Sequence, residues 1–330
     1  MHLVVRVKNK AKAYYLEKYI SYGNSAKNVS VSLKGLKKEA IMQGIDDLVT
    51  KISLEKTKYA IKHYKLKVLS EIQILELERL KEIIDIIKKE LPDTYYSYNK
   101  DDYVRFAQGS VSVEGNTISL QDTNLILEKG ISISGHEVNE VKEIENLGKA
   151  RIFLEKRKQF KESTLKKLHS IIVSGFQDKD PGKYRTGPIF ITGTKVKTVP
   201  AENIKKEIKK LFDFYEKNVE KIYPLELAGI VHSWFEQIHP FKDGNGRVGR
   251  ELLNFILLNN NFPRAVINLK NREKYIKALE SCQINGDYSK FSLFLSDTLH
   301  EKLKTITELY SESKIPIVNN LINQSKKKHK

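Results

Sequence analysis

Twelve residues of this chain, HPFKDGNGRVGR from His239 to Arg250, bring together side chains that suit one kind of chemistry. His239 has an imidazole whose ordinary pKa lies near neutrality, as a general base requires. Gly244-Asn245-Gly246 can take backbone angles that other residues avoid, so successive amide N–H groups converge on an anion. The segment feeds a helix N-terminus, whose free N–H groups and partial positive charge favour phosphate. Arg247 and Arg250, three apart at the start of that helix, carry forked guanidinium groups matched to phosphate oxygens. Asp243 is a hard carboxylate of the kind that holds Mg²⁺ together with water and a nucleotide. Phe241 reads as an apolar anchor for the loop. A lone histidine or a single Gly-Asn-Gly is usually structural; the full set at these spacings points to phosphate binding beside a base.

Such a loop must be held at both ends. Before it, Pro224 sits where a first helical residue belongs, and Leu227, Ile230, Val231, Trp234, Phe235 and Ile238 form one apolar face. After it, Val248–Leu258 is apolar on nearly all sides, as in a central buried helix. Helical stretches are also expected at about 101–114, 119–128, 136–157, 163–175 and 201–219. Between the last two, GKYRTGPIFITGTKVKTVP (182–200) reads as a β-hairpin.

Further upstream, Leu3–Val7, Ala13–Tyr22 and Val29–Leu33 read as strands of a small antiparallel sheet. From Lys37 to Leu91 the pattern is helical, with Ile45, Leu48, Ile52, Leu77, Leu80, Ile84 and Ile87 at three- and four-residue steps, and Pro92 stops it. Such a stripe either packs on its own domain, the favoured expectation, or forms a homodimer. Residues 92–100 read as a linker. The fold class is mainly α, a helical domain with a hairpin, preceded by a small antiparallel β element and a long helical segment.

Composition bounds the rest. A 40% hydrophobic content over 330 residues supports a real core. Cys282 is the single cysteine, which leaves no internal disulfide framework and no cysteine-rich zinc site. No run approaches a membrane span, the start does not read as a signal peptide, and a cytoplasmic location is expected. The net charge of +17 suits phosphate-rich partners. The basic residues read as widely spread, however, and are taken as solvated surface lysines.

The twelve residues fill every specified position of H-x-F-x-[D/E]-G-N-G-R-x-x-R, and the stretch resembles the signature of the Fic family. The flanking helices, the hairpin and NREKYIKALESCQINGDYSKFSLFL extend the likeness from about Tyr98 to Glu308. The resemblance implies a Fic-type helical domain that transfers AMP from ATP to a Ser, Thr or Tyr hydroxyl of a target protein, or of itself, with Mg²⁺ or Mn²⁺. His239 would take the hydroxyl proton and Asp243 would hold the metal. Gly244, Asn245 and Gly246 would cradle the anion, with the Asn245 side chain taking part. Arg247 and Arg250 would meet the β- and γ-phosphates. The hairpin resembles the family's flap, where an unidentified target adds as a strand; Ile191, Thr192, Gly193 and Thr194 would lie over the nucleotide. Tyr275 is either part of the base pocket or a packing tyrosine. Upstream, Ser110–Asn116 (SVSVEGN) resembles the family's N-terminal inhibitory motif, in which Glu114 would pair with Arg250 and displace the γ-phosphate. The same glutamate could position water for removing AMP.

The implied organisation is a β element at 1–36, a helical arm at 37–92, a Fic domain with its inhibitory helix at 93–308, and a basic tail at 309–330. Three rival readings stay open. One moves UMP, phosphate or phosphocholine instead of AMP. Another is a nucleotide-sensing regulator whose basic N-terminal sheet binds nucleic acid. The last is a dimer-forming structural protein.

Overall fold

Alternating residues near the N-terminus build an antiparallel sheet in the order β1-β2-β3, comprising β1 (His2–Lys8), β2 (Ala11–Tyr22) and β3 (Ser25–Leu33). The computed structural model describes residues 1–8, 11–23, 25–66, 68–131, 135–190 and 196–328. The register sets Leu16 between Leu3 and Val31, and period two sends Leu16, Ile20, Val29 and Leu33 to one buried face. That face lies on α1 (Lys38–His63), where Gly44 leaves room for Leu33. Lys18 shares the face and donates to Glu82 and, at 2.7 Å, to Asp85 of α2 (Glu71–Glu90). Lys56 of α1 reaches Glu82 at 2.9 Å. Charges buried this deeply persist only when paired. The network stitches the sheet to both helices, and all three share one core with the rest of the chain.

The helical arm is two helices rather than one. α1 ends before residue 64, and Ser70 starts α2 with a reciprocal capping box to Gln73. The apolar stripe (Ile45, Leu48 and Ile52 of α1, Leu77, Leu80, Ile84 and Ile87 of α2) is buried within the chain. Residues 92–100 are not a linker. Pro92 stops α2 and, as a first-turn residue, starts α3 (Pro92–Ser112). There follow α4 (Leu120–Asn124), extended by a wider turn to Lys129, α5 (Val138–Glu155), α6 (Glu162–Ile172), α7 (Ile204–Asn218), α8 (Pro224–Ile238), α9 (Asn245–Asn259) and α10 (Arg272–Asn285).

α11 (Ser289–Lys328) overturns the expected tail at 309–330. It continues as helix through Pro316 and packs against α2 and β1. Ile317, Val318 and Leu321 are fully buried, Tyr310 donates to Asp46 at 3.1 Å and Asn320 donates to the Glu90 carbonyl at 3.0 Å. The three- and four-residue spacing of these side chains is helical, and the lysine run beyond Ser325 obscured it. In the expected hairpin, the arms at 183–190 and 196–200 carry no strand ladder among the described residues, although Thr198 donates across to the Ile189 carbonyl at 3.1 Å. Ile191, Thr192, Gly193 and Thr194 lie outside the described residues. No helix among the described residues is long and apolar enough to cross a membrane.

A buried tail has a measurable cost when truncated. Leu321→Ala should lower the free energy of urea unfolding by about 2–5 kcal/mol; a frayed tail would give a change within about 0.5 kcal/mol.

Candidate active site

α8 and α9 hold the loop between them. α8 ends on His239, whose φ of +48° is left-handed and rare for a residue with a side chain. Gly244, at φ +76°, turns the chain into α9, and a Cβ there would strike Val173. Phe241 is fully buried. The Asn245 carboxamide accepts from the Phe241 N–H at 2.9 Å and donates to the Phe241 carbonyl at 2.8 Å. Asn245 is therefore a buried clamp on the loop backbone, and its side chain does not join an anion cradle. The first-turn N–H groups of α9 remain for that purpose, because helix geometry gives them no acceptor.

Two residues that the sequence did not single out fix this loop from outside. His169 of α6 stacks on Phe241 with ring centroids 3.7 Å apart. Its Nε2 donates to the Asp243 carbonyl at 3.0 Å, and its Nδ1 accepts from the Gly182 N–H at 2.9 Å. Burial lowers its pKa to about 4, which keeps this neutral tautomer in place. Arg185 donates to the carbonyls of His239 (2.8 Å), Gly187 (2.7 Å), Val199 (2.5 Å) and Ile238 (3.3 Å). One guanidinium thus ties both flap arms to the end of α8. Neither residue has a local sequence pattern that would reveal it.

His239 Nδ1 donates to the Glu236 carbonyl at 3.3 Å, which leaves Nε2 as the basic nitrogen. Burial pushes its pKa down to about 4, so the ring is neutral at physiological pH. Glu236 is buried beside it, with Oε2 3.9 Å from His239 Nδ1 and Oε1 without a hydrogen-bond partner among the described residues. Burial raises the Glu236 pKa to about 7.

At the other end stand Arg247 and Arg250, each 2% exposed. Arg250 donates to Ser110 Oγ (2.9 Å), the Ser110 carbonyl (2.7 Å) and Glu114 Oε1 (2.6 Å). Arg247 meets Glu114 Oε2 (2.9 Å), Glu143 (2.7 Å) and Asp243 (3.3 Å). Glu114 therefore bridges both arginines. A Cβ on Gly246 would collide with its carboxylate, so glycine is what lets the carboxylate come so close. Glu143, absent from the sequence reading, also accepts from Asn116 at 3.1 Å and so joins that turn to Arg247. Arg272 holds the Val113 carbonyl at 3.0 Å. Asp243 pairs with Lys179 at 2.7 Å. Burial raises its pKa, but Lys179 and Arg247 outweigh that and hold the carboxyl below the usual range.

These groups line one cleft of about 930 Å³, with an apolar side formed by Ile276 and Leu279. Tyr275 belongs to the wall but is 2% exposed, and its hydroxyl bonds His232 Nε2 at 2.9 Å. It packs between helices more than it faces the cleft.

The helical scaffold thus brings a neutral imidazole and two buried arginines at a helix N-terminus to one cleft. Residues 159–257 match the Fic/DOC family. The chain is 28% identical over 204 residues to protein adenylyltransferase fic-1 of Caenorhabditis elegans, covering 60% of this chain and 40% of that protein. A protein adenylyltransferase Fic of Nematostella vectensis is 28% identical over 203 residues, covering 60% and 47%. The chain thus spans less than half the length of these relatives. A Fic-domain protein from Bacteroides thetaiotaomicron shares the fold, with a TM-score of 0.57 at 23% identity over 74% of this chain and 94% of that one.

NMR titration of the ring should place the His239 midpoint near pH 4. Because a lowered pKa keeps the ring neutral above its value, the imidazole should remain uncharged from about pH 5 upward; a midpoint near its ordinary 6.5 would show the nitrogen to be solvated instead.

Proposed function

We propose that this chain transfers AMP from ATP to a hydroxyl side chain of a protein, itself included, and that Glu114 restrains the reaction. The observation that carries the reading is a single cleft joining a neutral His239 to Arg247 and Arg250. His239 Nε2 takes the proton as the hydroxyl oxygen attacks the α-phosphorus. The new P–O bond forms while the bond to the β-phosphate oxygen breaks, and pyrophosphate leaves. Arg247, Arg250 and the α9 N–H groups balance its charge, so positioning and electrostatics supply most of the catalysis. Ile276 and Leu279 offer an apolar wall for the base, and the target segment docks along the flap arms at 182–200.

In the resting arrangement Glu114 takes the place a terminal phosphate would fill on Arg250. ATP must displace this carboxylate or bind askew. Glu143 holds Arg247 in the same manner and acts as a second restraint. Removal of AMP through a water held by Glu114 draws on the same geometry.

A divalent cation fits here in a limited sense. Among the described residues no cluster of three or more acidic, histidine or cysteine side chains could hold an ion. Asp243 nevertheless offers one partly exposed carboxylate beside the phosphate site, which suffices for Mg²⁺ when nucleotide oxygens and water complete its shell. Bound there, it would neutralise phosphate charge. Lys179 occupies that carboxylate and competes for it.

With ATP labelled at the α-phosphate, Glu114→Gly should raise self-labelling about tenfold or more, and Glu114→Gly/Glu143→Gln further. His239→Ala should abolish it. Label arriving only from the γ-phosphate would identify phosphate transfer; nucleotide binding with no transfer from either would leave a sensor. Separately, Lys179→Met should tighten Mn²⁺ binding in the presence of a non-hydrolysable ATP analogue about threefold or more, read by the loss of free Mn²⁺ signal in electron paramagnetic resonance. Unchanged affinity would show that the ammonium does not compete.

A further inference from the structure

Nothing in the resting fold accounts for Glu236. It is 7% exposed and lines the cleft, yet among the described residues its Oε1 has no hydrogen-bond partner. Arg250 of α9 faces it but donates to Ser110 and Glu114. A side chain at Gly249 would press on this carboxylate and on His232 and Phe235, so glycine there leaves the carboxylate its space. Glycine inside a helix weakens it, and a buried oxygen without a partner is destabilising. Two unfavourable features therefore surround a carboxylate that bonds nothing at rest, which points to a use in another state of the site.

The neighbour that could use it is His239, three residues on and so on the same side of α8. Oε2 lies 3.9 Å from His239 Nδ1, whose only acceptor, the Glu236 carbonyl, is a long 3.3 Å away. With Oε1 unheld, the carboxylate is free to turn toward the ring. The other groups that face it come from four directions. Burial raises the Glu236 pKa, Arg250 lowers it, and Glu114 on the turn after α3 raises it, which leaves it at about 7. Burial pushes the Tyr275 hydroxyl of α10 up, so it keeps its proton. His232, one turn back on α8, is neutral, its pKa lowered by burial to about 3.

A base of pKa about 4 takes a proton poorly at neutral pH. What the ring lacks is a counter-charge for its protonated form. We propose that Glu236 is the positioning residue that supplies it: as His239 Nε2 takes the hydroxyl proton, the Glu236 carboxylate turns to the Nδ1–H and balances the charge the ring has gained. The inference rests on the AMP transfer proposed above and deepens it. The hydroxyl proton stays on Nε2 and Nδ1 keeps its own, so Glu236 contributes charge and orientation without itself taking a proton. The pair, rather than the ring alone, then sets the pH at which the site acts. Because the carboxyl is protonated below its midpoint and ionised above it, activity should rise with pH.

Two measurements on the full chain test this. In Glu114→Gly protein, the rate constant for self-labelling from ATP labelled at the α-phosphate should rise through a midpoint at or below about 7, since Glu114 no longer raises the carboxyl. Adding Glu236→Gln, of the same size, should flatten that rise and lower the rate constant at high pH about tenfold or more, with KM for ATP unchanged. Adding Glu236→Asp instead should keep part of the rise. In the parent, NMR of the His239 ring should show its step near pH 4 and a smaller one near 7, as the neighbouring carboxyl ionises. Glu236→Gln should lose only the second step. A Glu236→Gln variant that labels with an unaltered rate and pH profile, or a parent ring with a single step, would overturn the proposal while leaving AMP transfer intact. Both steps in a protein that no variant makes label itself would sink AMP transfer, and this role of Glu236 with it.

Discussion

Two guanidinium groups buried at the start of one helix govern the rest of this molecule. Arg247 and Arg250 are each 2% exposed, and a cation so removed from water must have anions against it. At rest these are Glu114, Glu143 and Asp243, with Ser110 completing the shell of Arg250. A triphosphate would supply the same charge. Under the proposed function an incoming phosphate would compete with these carboxylates, which burial itself requires, since arginines kept without carboxylates would be uncompensated charge in the core. In Arg250 burial opposes the charge, but Glu114 outweighs it and raises the pKa.

The rest of the fold positions this pair against His239. α9 begins where Gly244 turns the chain, which places both arginines in its first two turns. Asn245 clamps the Phe241 backbone, His169 stacks on the Phe241 ring, and Arg185 collects carbonyls from both flap arms and from the end of α8. Each of these uses its polar atoms on backbone groups that a loop would otherwise leave unsatisfied. The loop is irregular but rigid, as the proposed function would require of a base that meets a phosphorus at fixed distance.

How much was legible in the sequence depended on distance along the chain. The loop and its two flanking helices are contiguous, so residue types and apolar period revealed them directly: α8 begins at Pro224, and the apolar residues after Val248 are buried in α9. The mainly helical fold and the small sheet were likewise readable from their periods. Glu114 lies 136 residues before Arg250, and only the resemblance of its neighbours suggested their meeting. Arg185, His169, Glu143 and Lys179 stand alone in sequence and gain meaning from what folding brings beside them. The misread segments share another cause. Polar composition at 92–100 and lysines near the C-terminus outweighed a helical spacing that core packing then enforced, in α3 and α11. The Asn245 side chain was assigned to the anion on the family resemblance alone, whereas its carboxamide faces inward.

Glu143 has a consequence for how the cleft opens. It grips Arg247 with one oxygen and Asn116 with the other, while Glu114 sits two residues before Asn116 on the same turn. Whatever draws Arg247 away frees one hold on that turn, and whatever unwinds the turn loosens Arg247. Both ends of the contact are therefore thermodynamically linked, and an anion entering the cleft and a partner tugging on residues 113–116 would each make the other's task easier.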